Sequence, residues 1–406
     1  MNFTRILINN LVFPYMEAFK GNHIRTYIKE LQETQSWTPD SLLNQQTMKL
    51  KSLLVHCVEK VPAYRSFCHL SSVMVRDPIQ ALEQFPLLSK SDYQEKPDSY
   101  LSEGLNREGL IANRTSGSTG EPVSFYMDRF TVEHYEAARW RGLSWWGIAP
   151  ADPSIMIWGS PVELSANQSR LHRISERWLK NRIVIPAYSL KPSRINDYIK
   201  LIENFSPVYL YGYASSLYLF ASLVLEQGKT VNSGKCFKGV VSTAETLFDY
   251  QRETIGKAFK APVINEYGAR DAGIIAYQCP AGGMHLTLEN LVMEIVDPKT
   301  GQCLPAGETG RVAITDLNNF AMPRLRYLVG DMGAMSSSTC NCGIKLPLMQ
   351  SIDGREVDTF LSRNGELVHG GYWNTLARNM KGIKQYQLVQ HDPDHATLRI
   401  VKNTQF

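Results

Sequence analysis

Thr115-Ser116-Gly117-Ser118-Thr119-Gly120-Glu121-Pro122 is the sharpest local feature of the chain. Small residues let a backbone come close to an anion, and the hydroxyls and exposed N–H groups of such a run can donate to phosphate oxygens. It is not a Walker P-loop, because no lysine follows the second glycine and the spacing differs. Read alone, the run is equally well a flexible Ser/Gly turn. Its surroundings have to decide between the two.

On the N-terminal side, Ser41 to Tyr64 carries Leu42, Leu43, Met48, Leu50, Leu53, Leu54 and Val58 at helical spacing, and Val61-Pro62 ends it. The expectation is an ordinary surface helix. A second helical region spans Arg129 to Trp146, with Tyr135, Ala138, Leu143 and Trp146 as core positions. From Ile155 the texture alternates. Strands are expected at Ser154–Trp158, Arg182–Ile185, Val208–Tyr211, Gly239–Ser242 and Pro262–Glu266. Helices are expected at Ile195–Asn204, Ser216–Gln227 and Asp249–Phe259. Such alternation predicts an α/β fold with a mostly parallel sheet and ligand loops at the strand ends. After Gly268 the chain turns β-rich, with strands expected at Leu291–Val296, Gly310–Thr315 and Arg324–Tyr327. Gly354 to Asp358 reads as a boundary, followed by strands near Tyr386–Gln390 and Ala396–Val401.

Over 406 residues the hydrophobic fraction is 43% and the net charge +4. That composition is globular, and so small a surplus argues against a nucleic-acid partner. It is compatible with anionic ligands. Seven cysteines, an odd count in a long chain, argue against a disulfide framework and for a reducing compartment. The apolar run Ile6-Leu7-Ile8 is broken at once by Asn9-Asn10, unlike a signal peptide. No stretch approaches the roughly 20 apolar residues of a transmembrane helix, so a cytoplasmic location without an integral membrane segment is expected.

Several segments, taken in order, share one resemblance. The hydroxyl-glycine run is followed by Ser242-Thr243-Ala244-Glu245-Thr246-Leu247 after an apolar strand, and by Asn265-Glu266-Tyr267-Gly268-Ala269-Arg270-Asp271. Then come Gly307-Glu308-Thr309-Gly310, Pro323-Arg324-Leu325-Arg326-Tyr327-Leu328-Val329-Gly330-Asp331, and Gly354-Arg355-Glu356-Val357-Asp358. In this order they resemble the adenylate-forming superfamily, most closely the phenylacetate–coenzyme A ligase branch with its CapK-like members. The resemblance implies a large adenylate-forming domain over residues 1–353, of parallel-type sheets with helices and a β-rich portion. A truncated small α+β piece over residues 354–406 would follow the hinge. It implies activation of a carboxylic acid by ATP to acyl-AMP and pyrophosphate, with coenzyme A as acceptor. Ser116, Gly117, Ser118, Thr119 and Gly120 would hold the β- and γ-phosphates. Ala244, Glu245, Glu266, Tyr267 and Gly268 would border adenine, and Asp331 would anchor the ribose. Thr115, Asp271 and Arg355 would stand nearest the chemistry. Asp271 would help hold Mg²⁺ where the family more often has Glu. Tyr211-Gly212-Tyr213 resembles the stretch near the acyl pocket, with Tyr213 either lining that pocket or packed in the core.

Cys279, His285, Cys340 and Cys342 form a Cys₃His set suited to tetrahedral zinc. Free cysteines in surface turns are the alternative, and similar positions in the phenylacetate ligase branch favour structural zinc. His134, His172 and His369 have no evident catalytic partner, and no Gly-x-Ser-x-Gly elbow marks a serine hydrolase. One departure stands out. The family carries a lysine late in the small domain, whereas Lys381, Lys384 and Lys402 lie in no Ser-Gly-Lys context. A shortened relative, a cation supplied from elsewhere, a catalytically impaired nucleotide-binding protein and acyl transfer to an amine in surface-polysaccharide biosynthesis all stay open.

Overall fold

The computed structural model describes residues 7–114, 124–159, 170–231, 234, 236–356, 359–361, 363, 367–369 and 383–402. The run from Thr115 to Pro122 lies outside the described residues, as do Val357, Asp358 and Lys381.

The centre is an eleven-stranded sheet whose two wings differ in direction. On one wing β3 (Ser154–Trp158), β4 (Arg182–Pro186), β5 (Tyr209–Tyr213), β6 (Gly239–Thr243) and β7 (Val263–Ala269) run parallel in the spatial order β4-β3-β5-β6-β7. On its other edge β7 pairs antiparallel with β8 (Gly273–Gln278). The sheet continues through β9 (Met284–Leu286), β13 (Leu348–Arg355), β12 (Tyr327–Met335), β11 (Gly310–Asp316) and β10 (Leu291–Val296). A separate hairpin of β1 (Ile111–Arg114) and β2 (Ser124–Met127) brackets the hydroxyl-glycine run. Two further hairpins, β14 (Thr359–Leu361) with β15 (Leu367–His369) and β16 (Ile383–Asp392) with β17 (His395–Lys402), close the described chain.

The parallel wing forms because its strands are continuous apolar runs, which only helices on the sheet face can bury. Ile155, Leu210 and Val240 pack against Leu217, Phe220 and Ile255 from the helices Ala214–Glu226 and Asp249–Phe259. Gly212 makes one close approach possible: a Cβ there would lie 2.6 Å from the Ile157 carbonyl oxygen.

Helix α1 (Pro39–Lys60) is more than a surface helix. Leu50, Leu53 and Leu54 are fully buried against Val292, Leu317 and Leu325, while Leu43 and Met48 face solvent. Helix α2 (Lys90–Glu95) is fixed at its start by a Ser89/Asp92 capping box. The chain before it joins the sheet: the Leu88 N–H donates to the Arg326 carbonyl at 3.0 Å, and the Leu328 N–H donates to Leu88 at 2.8 Å. Helix α3 (Arg129–Ser144) crosses the sheet with Gly142 against the Tyr277 ring, and Trp146 lies beyond its end.

The strand expected at Arg324–Tyr327 begins instead at Tyr327. Pro323 offers no N–H, and Arg326 adopts a left-handed φ of 50° that no strand accommodates. The Arg326 guanidinium is turned inward, onto the Glu294 carboxylate at 3.0 Å and the carbonyls of Glu83 and Phe85 at 3.0 and 2.9 Å.

Candidate functional site

In a parallel sheet, ligands gather at the carboxyl ends of the strands. Here those ends carry Tyr213, Thr243-Ala244-Glu245 and the β7–β8 turn. Ala244 takes a φ of 64°, sparsely populated for a residue with a side chain, which marks a constrained backbone just after β6. Glu245 accepts from the Ser215 N–H at 2.7 Å and its hydroxyl at 3.0 Å, placing an anion at the positive start of the helix Ala214–Glu226.

The densest polar group lies where β7 meets β12 and β13. The Tyr267 hydroxyl donates to Asp331 at 3.0 Å, and the Arg355 guanidinium reaches the other Asp331 oxygen at 3.2 Å. Asp331 and Arg355 are register partners across β12–β13, so the pair is built by the sheet. A second Arg355 nitrogen donates to the Val329 carbonyl at 3.0 Å. Burial pushes the Asp331 carboxyl up, while Arg355, the Tyr267 hydroxyl and Lys90 pull it down. Asp271, in the β7–β8 turn, accepts from the Tyr327 hydroxyl at 2.6 Å and adds its field to the same group. Gly268 is required here, since a Cβ would meet the Gly273 carbonyl oxygen at 2.4 Å.

Glu266 does not join this group. Strand alternation turns it to the opposite face of β7, where its carboxylate accepts from the Tyr211 hydroxyl at 2.5 Å and the Thr243 hydroxyl at 3.0 Å.

Lys90 is a residue that sequence reasoning missed. Its ammonium lies 4.0 Å from where a Gly330 Cβ would be, within the field of Asp331. The available signal was a lysine in the first turn of a capped helix, a position the helix dipole disfavours.

The Cys₃His set converges. Cys279 follows β8, His285 lies in β9, and Cys340 and Cys342 sit in the β12–β13 connection; their ligand atoms all lie within 4.8 Å of one another. The Cys279 and Cys340 sulfurs are 3.6 Å apart. A disulfide would require about 2.05 Å, whereas Zn–S bonds of about 2.3 Å set tetrahedrally separate two sulfurs by about 3.8 Å. His285 Nδ1 is held by the Leu346 carbonyl at 3.0 Å, which leaves Nε2 facing the Cys342 sulfur at 3.2 Å. A ring nitrogen anchored this way is a usual second shell for a metal-binding histidine. Gly283 makes room, since a Cβ there would sit 2.9 Å from the Cys340 sulfur. Buried His134 instead bonds the Phe130 carbonyl and stacks on Tyr27.

Known proteins share this architecture. No protein-family model matches the chain. It is 23% identical over 322 residues to Protein CapK of Staphylococcus aureus, covering 79% of this chain and 69% of CapK. It is 24% identical over 354 residues to the phenylacetate-coenzyme A ligase of Thermus thermophilus, covering 85% and 77%. The crystal structure of a 2-hydroxyisobutyryl-CoA ligase in the postadenylation state, with 2-HIB-AMP bound, superposes with a TM-score of 0.69 at 18% identity, covering 87% of this chain and 77% of that one. The chain is similar over most of its length to phenylacetate–coenzyme A ligases and to CapK. Its mixed α/β architecture is that of the adenylate-forming ligases. Among the described residues, no helix of the chain is long and apolar enough to cross a membrane.

Proposed function

We propose that the protein is an adenylate-forming acid–CoA ligase. A carboxylate oxygen attacks the α-phosphorus of ATP, forming acyl-AMP and releasing pyrophosphate. The thiol of coenzyme A then takes the acyl group, and AMP leaves. The observation that carries the reading is the Asp331–Arg355 pair on register-paired strands, bonded by Tyr267 of β7 and with Lys90 beside it.

In this reading Asp331 accepts the ribose hydroxyls, held in place by Tyr267 and Arg355. Ala244, Glu245 and Gly268 border the base, and residues 115–120 take the phosphates. Lys90 supplies a cation toward the α-phosphate, where charge develops in the transition state. Its fixed seat on a capped helix makes it the residue to test in place of a late lysine. One Asp271 oxygen holds the Tyr327 hydroxyl, and the other suits the hard oxygen-ligand preference of Mg²⁺, which when bound neutralises phosphate charge. The Cys₃His cluster suits zinc in a structural role, since four protein ligands leave no open coordination position.

ATP–pyrophosphate exchange over a panel of aryl, fatty and amino acids tests the reading. Exchange with at least one acid is expected, followed by thioester formation when coenzyme A is added. AMP binding with no exchange for any acid would leave the catalytically impaired, nucleotide-binding reading. Transfer to an amine but not to coenzyme A would move the acceptor and keep the first half-reaction.

A further inference from the structure

The face of β7 opposite the nucleotide group holds hydrogen-bonding capacity that none of the described residues uses. Glu266 is 3% exposed and Tyr277 is 1% exposed. They are direct register partners across β7–β8 and therefore share a face. The Glu266 oxygen Oε1 takes both hydroxyls, from Tyr211 and Thr243. Oε2 has no partner among the described residues, and neither has the Tyr277 hydroxyl. Folded proteins rarely leave buried polar atoms in this state.

Among the described residues no cation bonds Glu266. Arg139 of α3 is near enough to act on its charge, but its guanidinium is engaged by Glu136. Glu289 also leaves one oxygen without a partner among the described residues, but its other oxygen holds the Arg141 guanidinium at 2.6 Å. Glu266 differs in its location as well. Thr243 ends β6, directly before Ala244 and Glu245, and Tyr211 lies in the middle of the neighbouring β5. The surroundings are otherwise aromatic and apolar: Trp140, Trp158 and Val241 belong to the same cluster, and Trp158 stacks on Tyr213 at 4.1 Å. A few placed polar groups among aromatic and apolar side chains are what fix the orientation of a bound small molecule.

We propose that Glu266, with Tyr277, selects the acid: the substrate carries a hydroxyl or amino group remote from its carboxylate, which donates to Glu266 Oε2. The proposal rests on the adenylation reading and deepens it. Burial pushes the Glu266 carboxyl above its ordinary range, against the pull of Arg139 and the two hydroxyls. The titratable groups facing it are Tyr211, Tyr277, Arg139 and Glu136.

The test is ATP–pyrophosphate exchange with two matched series, phenylacetate against its 4-hydroxy and 4-amino forms and butyrate against its 4-hydroxy and 4-amino forms. AMP affinity is measured in parallel on the wild type, Glu266→Gln and Glu266→Leu. A site built to bond a donor rejects the analogue lacking it strongly, so the substituted acid of at least one series should exceed its parent in kcat/KM by about a hundredfold or more. Glu266→Leu should abolish that preference and Glu266→Gln weaken it, with AMP affinity unchanged in both. If parent acids exchange as well as substituted ones, or if the preference survives in Glu266→Leu, the selection role is wrong and the adenylation reading stands. If the wild type binds AMP but exchanges no acid, both fall together.

Discussion

The two wings of the sheet solve burial differently. The parallel wing is held by apolar contact between strands and helices, and the buried carboxylate on its strands, Glu266, is bonded by neutral hydroxyls. The antiparallel wing is cross-tied by charge: Arg324 with Asp316, Arg326 with Glu294 and Arg355 with Asp331. A buried carboxylate met by a cation ties two segments together, whereas one met only by hydroxyls keeps capacity for a ligand. The lesson is that the Arg324–Asp316 and Arg326–Glu294 charges are structural fastening, whereas Glu266, like Asp331 in the proposed nucleotide group, is available chemistry.

The strongest challenge to that contrast comes from the Cys₃His cluster, which ties β8–β9 to the β12–β13 connection. Protein purified without chelator should contain one zinc per chain by elemental analysis, and removing it should lower the melting temperature more than any single substitution below. Zinc well below one per chain would break the assignment. Next, Arg326→Leu leaves Glu294 buried without its cation and frees the Glu83–Phe85 segment. Breaking a buried pair in this way costs about 3–5 kcal/mol, read by urea unfolding; a loss under about 1 kcal/mol is what an exposed pair gives and would deny the fastening role.

Asp331→Ala should be smaller in stability and larger in binding. A hydrogen bond to a charged group contributes about 1.5–3 kcal/mol, so AMP affinity should fall on the order of ten- to a hundredfold. Unchanged affinity by calorimetry would remove Asp331 from the nucleotide site. The smallest effect is expected of Glu266→Gln on stability. The folded pKa of Glu266 is raised by burial, so the wild type loses stability as pH climbs from the unfolded pKa through the folded one. Glutamine does not titrate. The melting temperature of Glu266→Gln relative to wild type should therefore rise between pH 4 and pH 8, and a flat difference would show that the carboxyl is not perturbed.

The same contrast explains what the sequence could tell. On the parallel wing, Ser154–Trp158 and Asp249–Phe259 fall where periodicity puts them, because long apolar runs between helices leave little freedom. On the antiparallel wing β8, β9 and β13 went unread. β9 has only Met284–Leu286, and β13 runs through Gln350, Ser351 and Asp353, so neither shows a strong apolar pattern. The Tyr267, Asp331 and Arg355 grouping was legible because its members sit in recognisable segments. Lys90 was not, since only the pairing of Leu88 with Tyr327 brings it near, and that contact spans more than 200 positions. Glu266 was assigned with its neighbour Tyr267, and alternation along β7 separates them.

Strand β7 has a mechanical consequence as well. Hydrogen-bonded on both edges, parallel to β6 and antiparallel to β8, it is as stiff a ruler as a protein contains. Glu266 and Tyr267 are adjacent graduations on it, about 3.3 Å apart along the strand. If one reads the acid and the other holds the nucleotide group, the strand fixes those two points of recognition relative to each other.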